Sequence, residues 1–315
     1  MLMIILLAST FTFGQCKLDY SNYHLVFEDY FQTRGAGAYT GVTSGANPLS
    51  TNYTFTGDPD PLGGWGDYTD GFGTVHYGEY YDPSQVSFIP GGGIQLEADR
   101  ITTPITLSNG RVPTYKSGIL RTISTYEYGM FEITAALYVA PCPMDKPGCE
   151  YSGWPTFWLA TDPDLSEIDV FDGPNPNSAR QMKTNVINNI SHASCGRFSQ
   201  KLDADLTKYN TYTCVWTPTK VSFFFNGREM FTTDNSVVSL TPVFNHIYLT
   251  LQMCDYFYPD VSYYDIKSLK VYQANINAKT GIPDYDASYQ SSKEFMNYDI
   301  FGDPGAPLVE AVSSN

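Results

Sequence analysis

Three carboxylates lie close together in the segment 166–173, at Glu167, Asp169 and Asp172, within an otherwise apolar and β-branched run. Side chains alternate faces along a β-strand, so Glu167 and Asp169 share one face and the apolar residues between them share the other. Strict alternation would then send Asp172 into the core, where an unpaired carboxylate costs several kcal/mol. A β-bulge at Phe171 resolves this conflict, because one extra residue re-aims every later side chain. With such a bulge, the segment predicts three carboxylates on one surface.

The same octapeptide has a simpler interpretation, in which a strand runs into a solvated turn at Asp172-Gly173-Pro174. Acidic residues are ordinary in such turns. Taken by itself, the octapeptide favours this simpler interpretation. The choice between the two interpretations therefore depends on the rest of the chain.

Short stretches with strand character recur along the chain and are separated by turn residues. This spacing, with no amphipathic helix of useful length and no internal repeat, predicts one all-β domain, a sandwich or jelly roll. The predicted strands, besides the acidic one, cover residues 25–31, 86–89, 94–98, 115–123, 126–137, 153–160, 211–216, 221–225, 247–253 and 266–272.

Composition and charge exclude several classes of partner for this chain of 315 residues. Asp and Glu number 33 against 18 Lys and Arg, which gives a net charge of −15. Such a surface repels phosphate backbones, so nucleic acids and anionic membranes are not expected as partners. Aromatic residues make up 15% of the chain and charged residues only 16%. This mixture is typical of strands and aromatic-lined clefts rather than of helical bundles.

Residues 1–15 form a short apolar run followed by small and polar residues, the pattern of a secretory signal and its cleavage zone. The run is too short to span a bilayer. We therefore expect a secreted (or periplasmic) soluble protein, with its domain over residues 16–275. Residues 276–315 lack periodicity and are expected to pack on this domain as a C-terminal extension or to form a loose tail.

The six cysteines predict disulfides, since an even count in an exported chain is typical of them. Cys142 and Cys149 enclose a loop rich in Pro and Gly and are the expected pair. The remaining four cysteines allow three pairings that the sequence does not separate; they are Cys16, Cys195, Cys214 and Cys254.

Several segments, taken in order, resemble glycoside hydrolase family 16, the group of laminarinases, lichenases, agarases and carrageenases. Its signature is Glu-x-Asp-x-x-Glu after a Trp-Pro-x-Phe-Trp-Leu segment, and here Trp154-Pro-Thr-Phe-Trp-Leu159 precedes Glu167-Ile-Asp-Val-Phe-Asp172. The other matching segments are Tyr115-Lys-Ser-Gly118, Tyr128-Gly-Met-Phe-Glu-Ile133, Tyr212-Thr-Cys-Val-Trp-Thr-Pro218 with Phe225-Asn-Gly227, and Tyr264-Asp-Ile-Lys-Ser-Leu-Lys-Val-Tyr272. Each match is weak alone, but the ordered set is specific and reverses the preference for a solvated turn.

The resemblance implies a concanavalin A-like β-jelly-roll sandwich whose concave cleft binds a polysaccharide. It also implies hydrolysis with retention of configuration, in which two carboxyl groups about 5–5.5 Å apart flank the scissile bond. Glu167 would be the nucleophile and Asp172 the acid/base. Asp169 would orient Glu167 and hold the charges of the pair apart.

The third acidic position departs from the family, which has Glu where this chain has Asp172. Asp is one methylene shorter, about 1–1.5 Å, and misplacement on this scale can cost on the order of 100-fold in rate. Three alternatives follow. Asp172 still protonates the leaving group, or the wider gap admits a water and inverts the configuration, or the cleft only binds glycans.

The resemblance and the stacking of aromatic rings on pyranose rings make Trp154 the first candidate for a sugar platform. The other candidate sugar-binding residues are Trp158, Trp65, Trp216 and Gln252. Core packing is an equal alternative for Trp158 and a nearly equal one for Trp216. No cofactor is expected for catalysis. Asp265 resembles a position that ligates a structural calcium ion in part of the family, with an exposed strand Asp as the alternative.

The resemblance therefore predicts a secreted, endo-acting hydrolase of a neutral β-1,3- or mixed-linkage β-glucan, with residues 16–275 as the catalytic domain. A galactan of the agar or carrageenan type is a further candidate substrate. The alternative function, motivated by Asp172, is a catalytically impaired glycan-binding protein on the same fold. A polysaccharide is the expected partner, and the chain is expected to be a monomer.

Overall fold

The computed structural model describes residues 15–31, 53–54, 68–70, 73–75, 78–106, 110, 112–122, 124–138, 153–160, 166–173, 181–188, 193–194, 198–202, 204–234, 246–253, 261–286, 288 and 293–296. The predicted signal segment thus lies, apart from Gln15, outside the described residues. No helix in the described part of the chain has the length and apolar character needed to cross a membrane.

The regular structure of the described residues is mostly strand, with a turn of 3-10 helix at Pro83–Gln85 and α-helical residues at Tyr285, Asp286 and Ser288. The strands are β1 Gln15–Leu18, β2 Tyr23–Asp29, β3 Tyr53–Thr54, β4 Tyr68–Asp70, β5 Gly73–Val75, β6 Glu79–Tyr81, β7 Val86–Phe88, β8 Ile94–Arg100, β9 Tyr115–Ser117, β10 Ile119–Thr122, β11 Gly129–Tyr138, β12 Trp154–Ala160, β13 Ser166–Asp172, β14 Gln181–Asn188, β15 Ala193–Ser194, β16 Phe198–Lys201, β17 Asn210–Trp216, β18 Lys220–Phe225, β19 Arg228–Asp234, β20 His246–Gln252, β21 Val261–Ala274 and β22 Lys293–Met296. The predicted all-β fold is confirmed.

Two large sheets contain nearly all of these strands. The larger sheet has twelve strands, and its main path runs β22-β1-β19-β18-β17-β11-β21-β8-β9-β6. The smaller sheet has eight strands, and its main path runs β15-β14-β13-β12-β20-β10-β3. In the smaller sheet, the acidic strand β13 pairs with its sequence neighbours β12 and β14. The pairing of β12 with β20 then joins this unit to a distant segment of the chain.

The core lies between the two sheets. One cluster of fully buried side chains combines Ile133, Phe223 and Leu269 of the larger sheet with Phe157 and Leu249 of the smaller sheet. Burial of each such side chain contributes roughly 1.5–3 kcal/mol. The two sheets therefore form the predicted sandwich, and each sheet turns its opposite face away from the core.

The segment after residue 275 contacts other parts of the larger sheet at several places. The ring of Tyr285 packs against the ring of Tyr128, with the centroids 5.6 Å apart. Strand β22 pairs with β1, and β1 pairs in turn with β19. The form of the C-terminal extension as a whole stays a prediction, since residues 289–292 and 297–315 lie outside the described residues.

The expectation of a disulfide at Cys214 is wrong. Cys214 lies on β17 with no exposed surface, and its thiol is free. The physical reason is its position in the core cluster, where its neighbours are apolar side chains. The expected pair Cys142 and Cys149 lies outside the described residues, as do the remaining predicted disulfide partners (Cys195, Cys254 and the side chain of Cys16).

We expect the Cys214 thiol to be unreactive toward a disulfide reagent in the folded protein and reactive after denaturation without reductant. Complete burial blocks access, and it raises the pKa of the Cys214 thiol, which suppresses the reactive thiolate. Thiol titration of wild type and Cys214→Ala checks this. The variant should lose one thiol from the denatured count and none from the native count, whereas an unchanged denatured count would contradict the free thiol.

Candidate active site

A β-bulge in β13 places the three acidic residues on one face of the smaller sheet. The pairs between β13 and β12 are Glu167 with Ala160, Ile168 with Leu159, Asp169 with Trp158, Phe171 with Phe157, and Asp172 with Thr156. The three acids thus pair with every second residue of β12, and residues two apart on a strand point to the same face. Val170 has no partner in this register and is the extra residue, one place before the predicted position. The predicted sharing of one surface is present.

The apolar residues of β13 all enter the core as a consequence of this bulge. Ile168, Val170 and Phe171 belong to the buried cluster between the sheets. The ring of Phe171 lies 4.6 Å from that of Tyr212 and 5.8 Å from that of Tyr264, both on the larger sheet. Phe171 therefore gains its full burial while the next side chain, Asp172, stays out of the core.

The face with the three acids, hereafter the acid face, continues across β20. Its register with β12 pairs Gln252 with Trp154, Thr250 with Thr156, Tyr248 with Trp158, and His246 with Ala160. The rings of Trp158 and Tyr248 stack at a centroid distance of 4.4 Å and an angle of 21°. The hydroxyl groups of Thr156 and Thr250 are hydrogen-bonded to each other. The acids therefore lie beside a packed row of side chains.

Burial differs among the three acids. Asp169 is only 5% exposed, whereas Glu167 and Asp172 on either side of it are partly exposed. On β14, Asn185 lies opposite Asp169 and Ile187 lies opposite Glu167. The two outer carboxyl groups are thus the ones that a substrate on this face would reach, and Asp169 lies between them.

Asp172 has a direct partner in Trp154. The indole Nε1–H of Trp154 donates a hydrogen bond to Asp172 Oδ1 at 2.5 Å. Gly173, with a φ of +58°, lies against the edge of the same indole ring. The Nζ of Lys183 lies 5.8 Å from the ring centroid. Trp154 is therefore on the acid face, in contact with the acid at the end of β13.

The comparison with known families agrees with this geometry. Residues 75–257, more than half of the chain, match the model of glycosyl hydrolases family 16. This chain belongs to glycosyl hydrolase family 16. Its class of enzyme is thus that of glycoside hydrolases, and the matched residues include all three acids of β13. No curated protein matches the chain.

Solved structures of the family have the same fold. A laminarinase catalytic domain from Thermotoga maritima MSB8 is 17% identical with a TM-score of 0.61, covering 82% of this chain and 100% of its own. SCLam, a non-specific endo-β-1,3(4)-glucanase, is 20% identical with a TM-score of 0.62, covering 83% and 96%. An endo-β-1,3-glucanase from Pyrococcus furiosus is 18% identical with a TM-score of 0.61, covering 84% and 99%. The predicted jelly-roll sandwich is confirmed.

The other predicted sugar-binding residues of this family 16 protein lie in different places. Trp158 is on the acid face but only 3% exposed, and Gln252, paired with Trp154, is 6% exposed. Trp216 is 1% exposed and belongs to the core cluster, with its indole against the ring of Tyr128. This burial favours the core-packing alternative for Trp216. Trp65 lies outside the described residues.

Asp265, the candidate calcium ligand, lies on the larger sheet and is away from the acid face. It is 7% exposed and accepts a hydrogen bond from Gln95 Nε2 at 2.7 Å. Burial raises the pKa of this carboxyl group, and the bond from Gln95 opposes that change. Among the described residues, no three His, Cys, Asp or Glu side chains are grouped to hold a metal ion. Calcium binding at Asp265 stays a prediction.

Sequence reasoning missed the residues that hold Trp154 and the acids in place. Gly173 and Lys183 contact the indole of Trp154. Thr250 and Tyr248 belong to the same face because β20 pairs with β12, a pairing between distant segments. The Asp-Gly step after the acidic strand is the local signal for Gly173, but by itself it indicates only a turn.

Replacement of Gly173 by Ala should disturb Trp154. A left-handed φ costs a residue with a Cβ about 1–2 kcal/mol, and this Cβ would lie 2.4 Å from Trp154 Cδ1. The matched control is Gly281→Ala, since Gly281 has a φ of +72° and a Cβ added there would meet no atom within 4 Å. Urea unfolding should show a loss at least about 1 kcal/mol larger for Gly173→Ala, with altered Trp fluorescence only in that variant. Equal losses would contradict the contact.

Proposed function

We propose that this family 16 protein is a secreted, endo-acting hydrolase of β-1,3- or mixed-linkage β-glucan. The observation that carries the proposal is the register of β12 and β13, by which Glu167, Asp169 and Asp172 share one face. Two carboxyl groups on one substrate-facing surface are what a retaining glycosidase requires. The similar structures named laminarinase and endo-β-1,3-glucanase support a β-glucan as the substrate class.

In the proposed mechanism, Glu167 and Asp172 act in two steps. First, a carboxylate oxygen of Glu167 attacks the anomeric carbon while Asp172 gives its proton to the glycosidic oxygen, so the C–O bond breaks and the leaving sugar departs as an alcohol. A glycosyl ester on Glu167 remains. Then the Asp172 carboxylate takes a proton from water, whose oxygen attacks the same carbon and frees Glu167. Two inversions give overall retention.

Asp169 is proposed to hold the outer pair in its working state. It lies between Glu167 and Asp172 on the same face and is 5% exposed. Its charge keeps neighbouring carboxyl groups from all ionising together, and its position allows it to orient Glu167.

A second candidate function is glycan binding without hydrolysis, and the observation that favours it is Asp172 in place of the family's Glu. The proton donor is about 1–1.5 Å shorter in reach. A further alternative concerns the substrate, a galactan of the agar or carrageenan type. The net charge of −15 counts against its sulfated forms.

The remaining parts of the proposal draw on the sequence and on the strand register. Residues 1–15 support secretion, and the acidic net charge supports a neutral polysaccharide as the partner rather than nucleic acid or an anionic membrane. We propose that Trp154 and Gln252 contact the bound glycan, because they are paired at one end of the acid face. A monomeric state completes the proposal.

Hydrolysis of laminarin, lichenan and agarose by wild type, Glu167→Gln and Asp172→Glu tests the function. We expect release of reducing ends from laminarin and lichenan, with the anomers seen by NMR showing retention. Glu167→Gln should lower the rate by at least about 1000-fold, because removal of a nucleophile costs orders of magnitude. Glu28→Gln, an exposed carboxylate on the larger sheet, is the matched control and should keep its activity.

Each other result of this experiment supports a different function. If wild type releases no reducing ends, Asp172→Glu does release them, and wild type is retarded by glycan in affinity electrophoresis, the results would support the glycan-binding function. Release from agarose alone would support the galactan alternative. Inverted products would contradict the retaining mechanism, and full activity of Glu167→Gln would contradict the assignment of the nucleophile.

A further inference from the structure

The ends of two neighbouring strands hold Trp154 and Asp172 against each other. Trp154 begins β12 and Asp172 ends β13, and the indole N–H donates to Asp172 Oδ1 at 2.5 Å. The backbone N–H of Gly173 donates a hydrogen bond to the carbonyl oxygen of Pro155 at 3.0 Å. The residues that follow Trp154 and Asp172 in the chain are thus themselves joined by a backbone hydrogen bond. The hydrogen bond therefore joins two groups whose backbones are fixed relative to each other by the sheet.

The indole of Trp154 has little room to turn away from Asp172. A Cβ at Gly173 would lie 2.4 Å from Trp154 Cδ1 and 2.9 Å from its Nε1, so the backbone of Gly173 bounds the N–H edge of the ring. Lys183 Nζ lies over the ring, and the indole also packs against the core cluster. These neighbours fix the orientation of the ring, so that the indole N–H points to the carboxyl group of Asp172.

The hydrogen bond from Trp154 matters more for an Asp than for a Glu at this position. Asp172 reaches less far than Glu, so its carboxyl group must be held in one rotation to present the proton to a substrate. The bond at Oδ1 fixes that rotation and leaves Oδ2 to carry the proton. Placement of a catalytic group in a productive orientation is worth orders of magnitude in rate, because a small displacement alone can cost on the order of 100-fold.

We propose that Trp154 is a positioning residue for Asp172, and that its indole N–H compensates for the methylene that this acid lacks. The inference rests on the proposed hydrolase function. When the Oδ2 proton moves to the glycosidic oxygen and the C–O bond breaks, negative charge develops on Asp172. A hydrogen bond to a carboxylate is stronger than one to a neutral acid, so the bond from Trp154 strengthens toward the transition state, which raises kcat.

This role is distinct from that of a sugar platform. A platform acts through the face of the ring, and Phe provides such a face, whereas the positioning role needs the N–H that Phe lacks. Trp154→Phe therefore separates the two roles. The platform role predicts a change in KM that is shared by all substrates of the same sugar, and the positioning role predicts a loss that depends on the leaving group.

The test compares Trp154→Phe with wild type on two substrates that share a β-1,3-gluco-oligosaccharide and differ in the leaving group. One leaving group is a further glucose, which must be protonated, and the other is 2,4-dinitrophenolate, which leaves without a proton. We expect kcat/KM to fall on the order of 10–100-fold for the first and less than about threefold for the second, because general acid catalysis typically contributes 10²–10⁴-fold.

The matched control is Trp216→Phe, the same substitution in the core against Tyr128. Any effect of a loosened fold should be equal on the two substrates in that variant. A second readout is the indole ¹⁵N–¹H signal that Trp154→Phe removes from the spectrum, which should shift upfield in Asp172→Ala and keep its position in the Glu28→Gln control.

With an active wild type, two results would overturn the positioning role. One is an equal loss of kcat/KM on the two substrates in Trp154→Phe, and the other is an indole signal of Trp154 that does not shift in Asp172→Ala. If wild type cleaves neither substrate, the hydrolase proposal fails and the positioning role fails with it. The activity of wild type therefore tells the failure of the proposed function from the failure of this inference.

Discussion

The structure of the site depends on one extra residue in β13. Val170 has no partner on β12, and this extra residue lets the acids and the apolar side chains of β13 point to opposite faces of the sheet. Asp169 and Asp172 stay on the acid face, and Phe171 enters the core with Val170. Without this extra residue, either a carboxylate would be buried among apolar groups or a Phe ring would be exposed on the acid face. Both are costly, and the cost of the carboxylate is several kcal/mol.

The core holds this bulge in place from the other side. Phe171 packs against Tyr212 and Tyr264 of the opposite sheet, so a slip of the register would remove a ring from its pocket. Burial of one such ring contributes roughly 1.5–3 kcal/mol. The stack of Trp158 on Tyr248 supports the acid face from within the same sheet. The position of the acids is thus determined by packing on both faces of β12 and β13.

Asp172, the proposed proton donor, has closely packed surroundings. Asp172 lies at the strand end, where Trp154, Gly173 and Pro155 are joined by hydrogen bonds or contacts. The close packing supports the interpretation that Asp172 has a role in which its orientation matters.

The sequence by itself predicted many of the strands and the sandwich from local alternation. The cost of a buried charge indicated a shared face for the acids, and the resemblance to family 16 decided between that face and a solvated turn. The strands predicted at 94–98, 126–137 and 247–253 correspond to β8, β11 and β20 with small shifts at their ends. The bulge was predicted within one residue for the same reason. Strand β14, with Lys183, was not predicted, since its alternation is weak.

Only the tertiary structure decided what surrounds each side chain. Whether Trp216 faces a sugar or the core depends on which sheet β17 joins and which face of that sheet it occupies. The pairing of β20 with β12, which puts Gln252 beside Trp154, joins segments that are distant in sequence. The free state of Cys214 follows from its direction into the core. Such outcomes are properties of long-range register, which local alternation does not contain.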